Sequence, residues 1–154
     1  MMSPAFKVLQ ALHGKTLATA ESCTGGAIGA ALTAVPGSSE VYRGGIISYC
    51  NEIKHRLLGV EDALLERHGA VSAPVAEAMA VGAKKVLQTN VALSVTGLAG
   101  PGGDDFGNPV GTVFIGYADD FHREVREFHF SGNREEIRQQ AVDSALAMIL
   151  EYAN

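Results

Sequence analysis

Apolar positions along the chain recur at two spacings, and the changes between them divide it into helices and strands. Residues 4–13 bring Phe6, Leu9 and Leu12 near one helical face, and Gly14 ends the run. Thr16 to Ala20 is a short β-type run. Residues 24–35 are small and apolar (Ala27, Ile28, Ala30, Ala31, Leu32) between Gly25-Gly26 and Pro36-Gly37, which predicts a buried helix packed closely on a sheet. A strand is expected over 44–49, with Ile46 and Ile47. The helix predicted over 51–58 is capped by Asn51 and stopped by Gly59, and 61–67 adds a further helical turn or two.

The next helix starts at Ser72 with Pro74 in its first turn, and Val75, Met79, Gly82 or Ala83, and Val86 form its stripe. Residues 91–95 are apolar but for Ser94, as in a strand buried on both faces. A long Gly- and Pro-rich loop is expected over 97–109, then a strand over 110–118. Asp119-Asp120 turns the chain into 122–130, whose imperfect alternation suits an edge strand. The last helix spans 133–152, with Asn133 and Glu136 at capping-box spacing and Ile137, Ala141, Ala145, Met148 and Ile149 along one face. The order αβαβα(α)αββα predicts an α/β fold in three layers, helices on both faces of a mixed sheet of about five strands, as one domain over 1–154.

Composition narrows the function classes. Twelve Lys+Arg against seventeen Asp+Glu leave a net charge of −5. A nucleic-acid partner is not expected, because phosphate-backbone binders carry a basic excess. A small anionic ligand held by one or two arginines remains open. Cys23 and Cys50 are too few for a disulfide scaffold and read as free thiols. The first seven residues lack a basic region followed by an apolar run, and no apolar stretch approaches the ~18 residues of a membrane span. A cytoplasmic domain with no membrane partner is the expectation. Glycine is frequent, 18 residues in all, and clusters.

Several motifs fail. Gly14-Lys15-Thr16 resembles the tail of a phosphate-binding loop, but Leu9 occupies the position of its first glycine. Gly25-Gly26-Ala27-Ile28-Gly29 lacks the first glycine and the later acidic residue of a dinucleotide fingerprint, so no cofactor is implied. The five histidines form no i,i+4 pair, and no metal site is indicated. Asp104-Asp105 reads as a solvated turn.

Glu21-Ser22-Cys23-Thr24-Gly25-Gly26 is more informative. It sets a hydroxyl between a strand end and a helix start, near free backbone N–H groups and the positive end of the dipole. Two roles are open to Ser22: a nucleophile whose oxyanion is held by N–H groups around Thr24, Gly25 and Gly26, or a plain helix cap. A serine nucleophile needs a base, and neither a G-x-S-x-G elbow nor an S-x-x-K pattern is present. Lys54 is the other candidate. In the first turn of a helix a cation is disfavoured, and burial would lower its pKa from about 10.4 toward neutrality. Its alternative is an exposed helical lysine. Tyr49, at a strand end, could relay a proton.

These stretches together resemble the CinA C-terminal domain family, the nicotinamide-mononucleotide deamidases. The similarity is carried by Ala20-Glu21-Ser22-Cys23-Thr24-Gly25-Gly26, Gly45-Ile46-Ile47-Ser48-Tyr49-Cys50-Asn51-Glu52-Ile53-Lys54 and His68-Gly69-Ala70-Val71-Ser72. It continues through Ser94-Val95-Thr96-Gly97-Leu98-Ala99-Gly100-Pro101-Gly102-Gly103, Pro109-Val110-Gly111-Thr112-Val113 and Ser131-Gly132-Asn133-Arg134. The resemblance implies a three-layer α/β/α fold and hydrolysis of the carboxamide of nicotinamide mononucleotide to nicotinate mononucleotide and ammonia. It implies a metal-free Ser–Lys mechanism with Ser22, Lys54 and Tyr49 in the catalytic positions, and a homodimer or larger assembly. The chain resembles the stand-alone form of the family. Cys50 and Asn108 depart from the family pattern, which commonly has Ser at the first and often a basic residue at the second. Both glycine-rich loops follow strands and can converge on one ligand at the sheet edge, so Thr96, Gly97 and Gly100 join the binding set. Arg134, in the first turn of the last helix, is the expected phosphate contact, within its own subunit or across an interface. Two other functions remain: a nucleotide-binding module without chemistry, and a hydrolase of another small amide or ester.

Overall fold

The computed structural model describes residues 2–153. Its elements are α1 (Pro4–Ala11), β1 (Leu17–Glu21), α2 (Ala27–Thr33), β2 (Tyr42–Ile47), α3 (Asn51–Leu58), α4 (Asp62–His68), α5 (Ala73–Leu87), β3 (Val91–Gly97), β4 (Thr112–Ala118), β5 (Arg123–His129) and α6 (Arg134–Tyr152). The five strands form one sheet in the order β2-β1-β3-β4-β5. β1 runs parallel to β2 and β3, while β3–β4 and β4–β5 are antiparallel. The three-layer α/β/α sandwich is therefore as expected.

The pleat explains the two faces. Leu17, Leu93, Val95 and Ile115 point to one side and meet α1, α2 and α6 in a large apolar cluster. Ala18, Ala20 and Ala92 point to the other, where Leu58, Leu65, Val75, Met79 and Ala83 cover them. That second face is lined by small residues, so α5 lies close upon it. Ser94 Oγ donates to the Ala76 carbonyl at 2.6 Å, and a Cβ at Gly116 would stand 2.6 Å from the same oxygen. α3 in turn lies on α5, where a Cβ at Gly82 would collide with the backbone carbonyl of Leu58.

Gly82→Ala is accordingly expected to destabilise the fold by about 1–3 kcal/mol, the usual cost of overpacking, despite the ~1 kcal/mol by which alanine favours helix. A urea titration reads this as a lower midpoint at unchanged slope. Relief requires α3 to move, and α3 carries Lys54.

Several boundaries differ from the expected ones. Thr24, Gly25 and Gly26 form turns ahead of α2, whose N-cap is Gly26 in a left-handed conformation. β2 ends at Ile47, leaving Tyr49 beyond the strand. β4 starts at Thr112, because Gly111 takes a φ of 96° and its N–H turns back to the Leu98 carbonyl. Asn51 is the first residue of α3 and not its cap; Cys50 holds the cap position without a side-chain bond. The Asn133–Glu136 capping box of α6 is present in both directions. β5 is an edge strand with Arg123, Glu127 and His129 exposed. No helix among the described residues is long and apolar enough to cross a membrane.

This topology gathers the chemistry-bearing segments. The carboxyl ends of parallel β1, β2 and β3 lie along one sheet edge, and Ser22, Ser48-Tyr49 and the loop from Leu98 follow them directly. β5 ends at the same edge, with His129 opposite Thr112, so α6 starts there too.

Candidate active site

Ser22 is the first residue past β1, and its N–H prolongs the sheet pairing by donating to Val95 O at 3.0 Å. Its side chain is thereby aimed from a rigid strand end into a cavity of about 520 Å³. Lys54 reaches the same point from α3. It is 1% exposed, and its Nζ donates to Ser22 Oγ at 3.0 Å and to Ser48 O at 2.8 Å. No carboxylate pairs with it among the described residues. Burial pulls the Lys54 pKa down from its ordinary 10.5 to about 8, against smaller opposing effects of the Cys50 and Cys23 thiols. Cys23, beside the nucleophile candidate, is pushed up to about 11 by burial and stays a thiol.

The opposite wall comes from α6 and the loop after β3. Arg134 donates through Nη1 to Gly100 O at 2.7 Å and through Nη2 to Tyr49 Oη at 2.8 Å. Arg134, Tyr49, Ser22, Lys54, Thr96 and Gly100 all line this same cavity. Thr96 Oγ1 donates to Ala70 O at 2.8 Å, and Gly97 packs against β4 so tightly that a Cβ would lie 2.6 Å from Val113. Phe106 lines the mouth of the cavity on a loop pinned by Asp104, which accepts from the N–H groups of Phe106 and Asn108 and from Asn108 Nδ2.

A family model for the CinA C-terminal domain matches residues 3–153. The chain belongs to this family. A CinA-like protein of a Geobacter species is 49% identical over 139 residues, which are 90% of this chain and 34% of that protein. A CinA-like protein of Geobacter sulfurreducens is 50% identical over 133 residues, 86% of this chain and 32% of that protein. The chain thus spans about a third of the length of the curated relatives it matches. A solved CinA superfamily protein of Klebsiella pneumoniae superposes with a TM-score of 0.95 at 34% identity, over 97% of this chain and 95% of the other. A competence/damage inducible protein of Agrobacterium tumefaciens gives 0.93 at 38% identity, covering 96% and 92%.

In this CinA domain the expected residues fall into two groups. Ser22, Lys54, Tyr49, Thr96, Gly97, Gly100 and Arg134 come together at the cavity. Thr24, Gly25 and Gly26 do not line it, and the N–H groups of the two glycines are already bonded within the chain. The N–H of Gly26 is taken by Glu21 Oε1 at 3.2 Å, and that of Gly25 by Ser22 O at 3.0 Å. The anion at the start of α2 is internal: Glu21 also accepts from Thr24 Oγ1, Ile28 N and Gly29 N. Nor does Ser22 cap α2. Tyr49 is held by Arg134 and is 59% exposed, so the structure places no Tyr49 bond to Lys54 or Ser22. At α6 the capping box and two first-turn glutamates already serve the helix start, which leaves the Arg134 guanidinium, and not the helix end, to meet an anion.

Two residues escaped the sequence reading. Glu21 passed as a flank of Ser22, since no spacing rule marks a carboxylate that bonds a helix start up to eight positions on. Arg138 carries no signal of its own in the sequence, yet it bonds Cys23 O at 2.9 Å and Thr24 O at 3.0 Å. Asn108 is a loop staple that also donates to Val71 O at 3.2 Å, and Cys50 is exposed.

Proposed function

We propose that this domain is an amidohydrolase that converts nicotinamide mononucleotide to nicotinate mononucleotide and ammonia, with Ser22 as nucleophile and Lys54 as base. The observation that carries the reading is a buried amine, free of any carboxylate and lowered in pKa, 3.0 Å from a serine hydroxyl in a cavity. Neutral Lys54 keeps one N–H on Ser48 O and turns its lone pair to Ser22. Ser22 Oγ bonds to the carboxamide carbon while its proton passes to Nζ. The C–N bond then breaks, Nζ returns that proton to the leaving nitrogen, and ammonia departs. Water repeats the sequence on the acyl-enzyme: its proton goes to Nζ, its oxygen to the carbonyl carbon, and Ser22 recovers its hydrogen. Tyr49 Oη accepts from Arg134, so its own hydrogen is available to the substrate, and Arg134 supplies positive charge at the cavity wall. Assembly into a homodimer or larger belongs to this proposal through the family resemblance.

Arg134 is read as the phosphate contact. Arg134→Ala is expected to raise KM for nicotinamide mononucleotide roughly 10–100-fold, about 1.5–3 kcal/mol, and to change little for the phosphate-free nucleoside. Ammonia release from both compounds measures it. Asp104 and Asp105 also line the cavity and favour a second reading, in which the amide substrate carries no phosphate. Equal losses on nucleotide and nucleoside would select that second reading.

A further inference from the structure

We propose that Glu21 is the positioning residue of this site: its buried carboxylate fastens the turn that bears the nucleophile, while its main-chain carbonyl holds the loop that orients the base. The proposal rests on Ser22 acting as the nucleophile. Glu21 ends β1, is 2% exposed, and has no Lys or Arg partner among the described residues. Its side chain looks away from the cavity and under α2. Oε1 accepts from Thr24 Oγ1 at 2.7 Å, Ile28 N at 3.0 Å and Gly26 N at 3.2 Å, and Oε2 accepts from Gly29 N at 3.0 Å. The turn that begins at Ser22 is thus tied to the first residues of the helix behind it. Arg138 holds the same turn from outside, through Cys23 O and Thr24 O.

The main chain of Glu21 holds the other arm. Its carbonyl accepts from Ser48 N at 2.7 Å and from Ser48 Oγ at 3.3 Å, and the Ser48 carbonyl is the second acceptor of Lys54 Nζ. One residue therefore fixes the turn bearing Ser22 and the loop that orients Lys54. The close fit supports this role: a Cβ at Gly29 would stand 2.8 Å from Tyr42 Oη and 3.5 Å from Glu21 Oε2. A carboxylate suits the place because all four donors need an acceptor at once. An amide would set a donor against an N–H.

The test is Glu21→Gln in the full chain, with Glu21→Asp as a second variant that keeps the charge but is one methylene short. Ammonia release from nicotinamide mononucleotide gives kcat and KM across pH. A fluorophosphonate probe, with Ser22→Ala as the unlabelled control, counts competent serines and times their phosphonylation. In Glu21→Gln, kcat is expected to fall about 10–100-fold, KM to stay within about threefold, and the pH midpoint to stay where the wild type has it. Labelling should reach one serine per chain, slowed by a similar factor. Glu21→Asp should fall between the two and carries the same test where Glu21→Gln does not fold. Wild-type kcat and labelling rate in both variants would overturn the proposal. So would a loss accounted for wholly by fewer labelled sites, each reacting at the wild-type rate. If the nucleotide is not a substrate but Ser22 is labelled, the labelling rates alone decide. An unlabelled Ser22 in the wild type would remove the nucleophile itself, and this proposal with it.

Discussion

Ser22→Ala is expected to lower ammonia release by roughly 10³–10⁶-fold, with the fold intact. The magnitude follows from the loss of the atom that would form the acyl-enzyme; removing a nucleophile leaves only the binding and electrostatic contributions of the site. The fold survives because the backbone contact of Ser22 with Val95 and the Glu21 bonds to the following turn do not involve Oγ. Lys54 keeps its bond to Ser48 O but loses one partner, so a stability change of about 1–2 kcal/mol in either protonation state is the expected scale. Circular dichroism and a urea midpoint check the fold, and a coupled ammonia assay checks turnover. EDTA is expected to leave the wild-type rate unchanged, since the proposed nucleophile and base are side chains. Wild-type turnover by Ser22→Ala would eliminate the serine mechanism.

The residues of this site differ in how legible they were. The sheet and its helices could be read from periodicity because burial on two faces leaves nearly continuous apolar runs such as Val91 to Val95, broken only by Ser94, and α6 announces itself by a capping box. Ser22 and Lys54 lie 32 positions apart, and neither spacing nor composition brings them together. Only the parallel pairing of β1 with β2 does so, by placing Ser22 and the α3 entry side by side. Arg134 is farther still in sequence; it arrives because β5 ends at the same edge, which also removes the need for a second subunit to deliver it. The oxyanion site expected at Thr24, Gly25 and Gly26 lies off the cavity. Glycines ahead of a helix predict free N–H groups, but they cannot reveal that a carboxylate one residue before Ser22 already accepts from Gly26, Ile28 and Gly29. A helix start is a site for an anion only after the chain's own acids have been counted against it.

Lys54 is expected to lose nearly all activity as Lys54→Arg, no less than as Lys54→Ala. Arginine keeps the charge but stays protonated at any pH used for assay, so it cannot take the Ser22 proton. The native amine is suited to the task by burial. At pH 7 a group titrating near 8 is about one-tenth neutral, whereas an ordinary lysine is neutral in about one molecule in three thousand, a gain of roughly 300-fold in the reactive form. Wild-type kcat/KM should therefore rise with pH and level off above about 8. Substantial kcat in Lys54→Arg would make Lys54 a charge partner and not a base. Stability should carry the same signature with a definite sign. Unfolded Lys54 holds its proton up to about 10.5 but folded Lys54 only to about 8, so its contribution to stability rises as pH climbs between those values. Cys23 acts oppositely from about 9 to about 11, since its folded pKa is raised. The window from pH 8 to 9 isolates the lysine. There the urea midpoint of the wild type should increase with pH, and that of Lys54→Met should not. Parallel pH dependence in both proteins would mean that Lys54 is not desolvated enough to be neutral near physiological pH, and the proposed base would lose its physical basis.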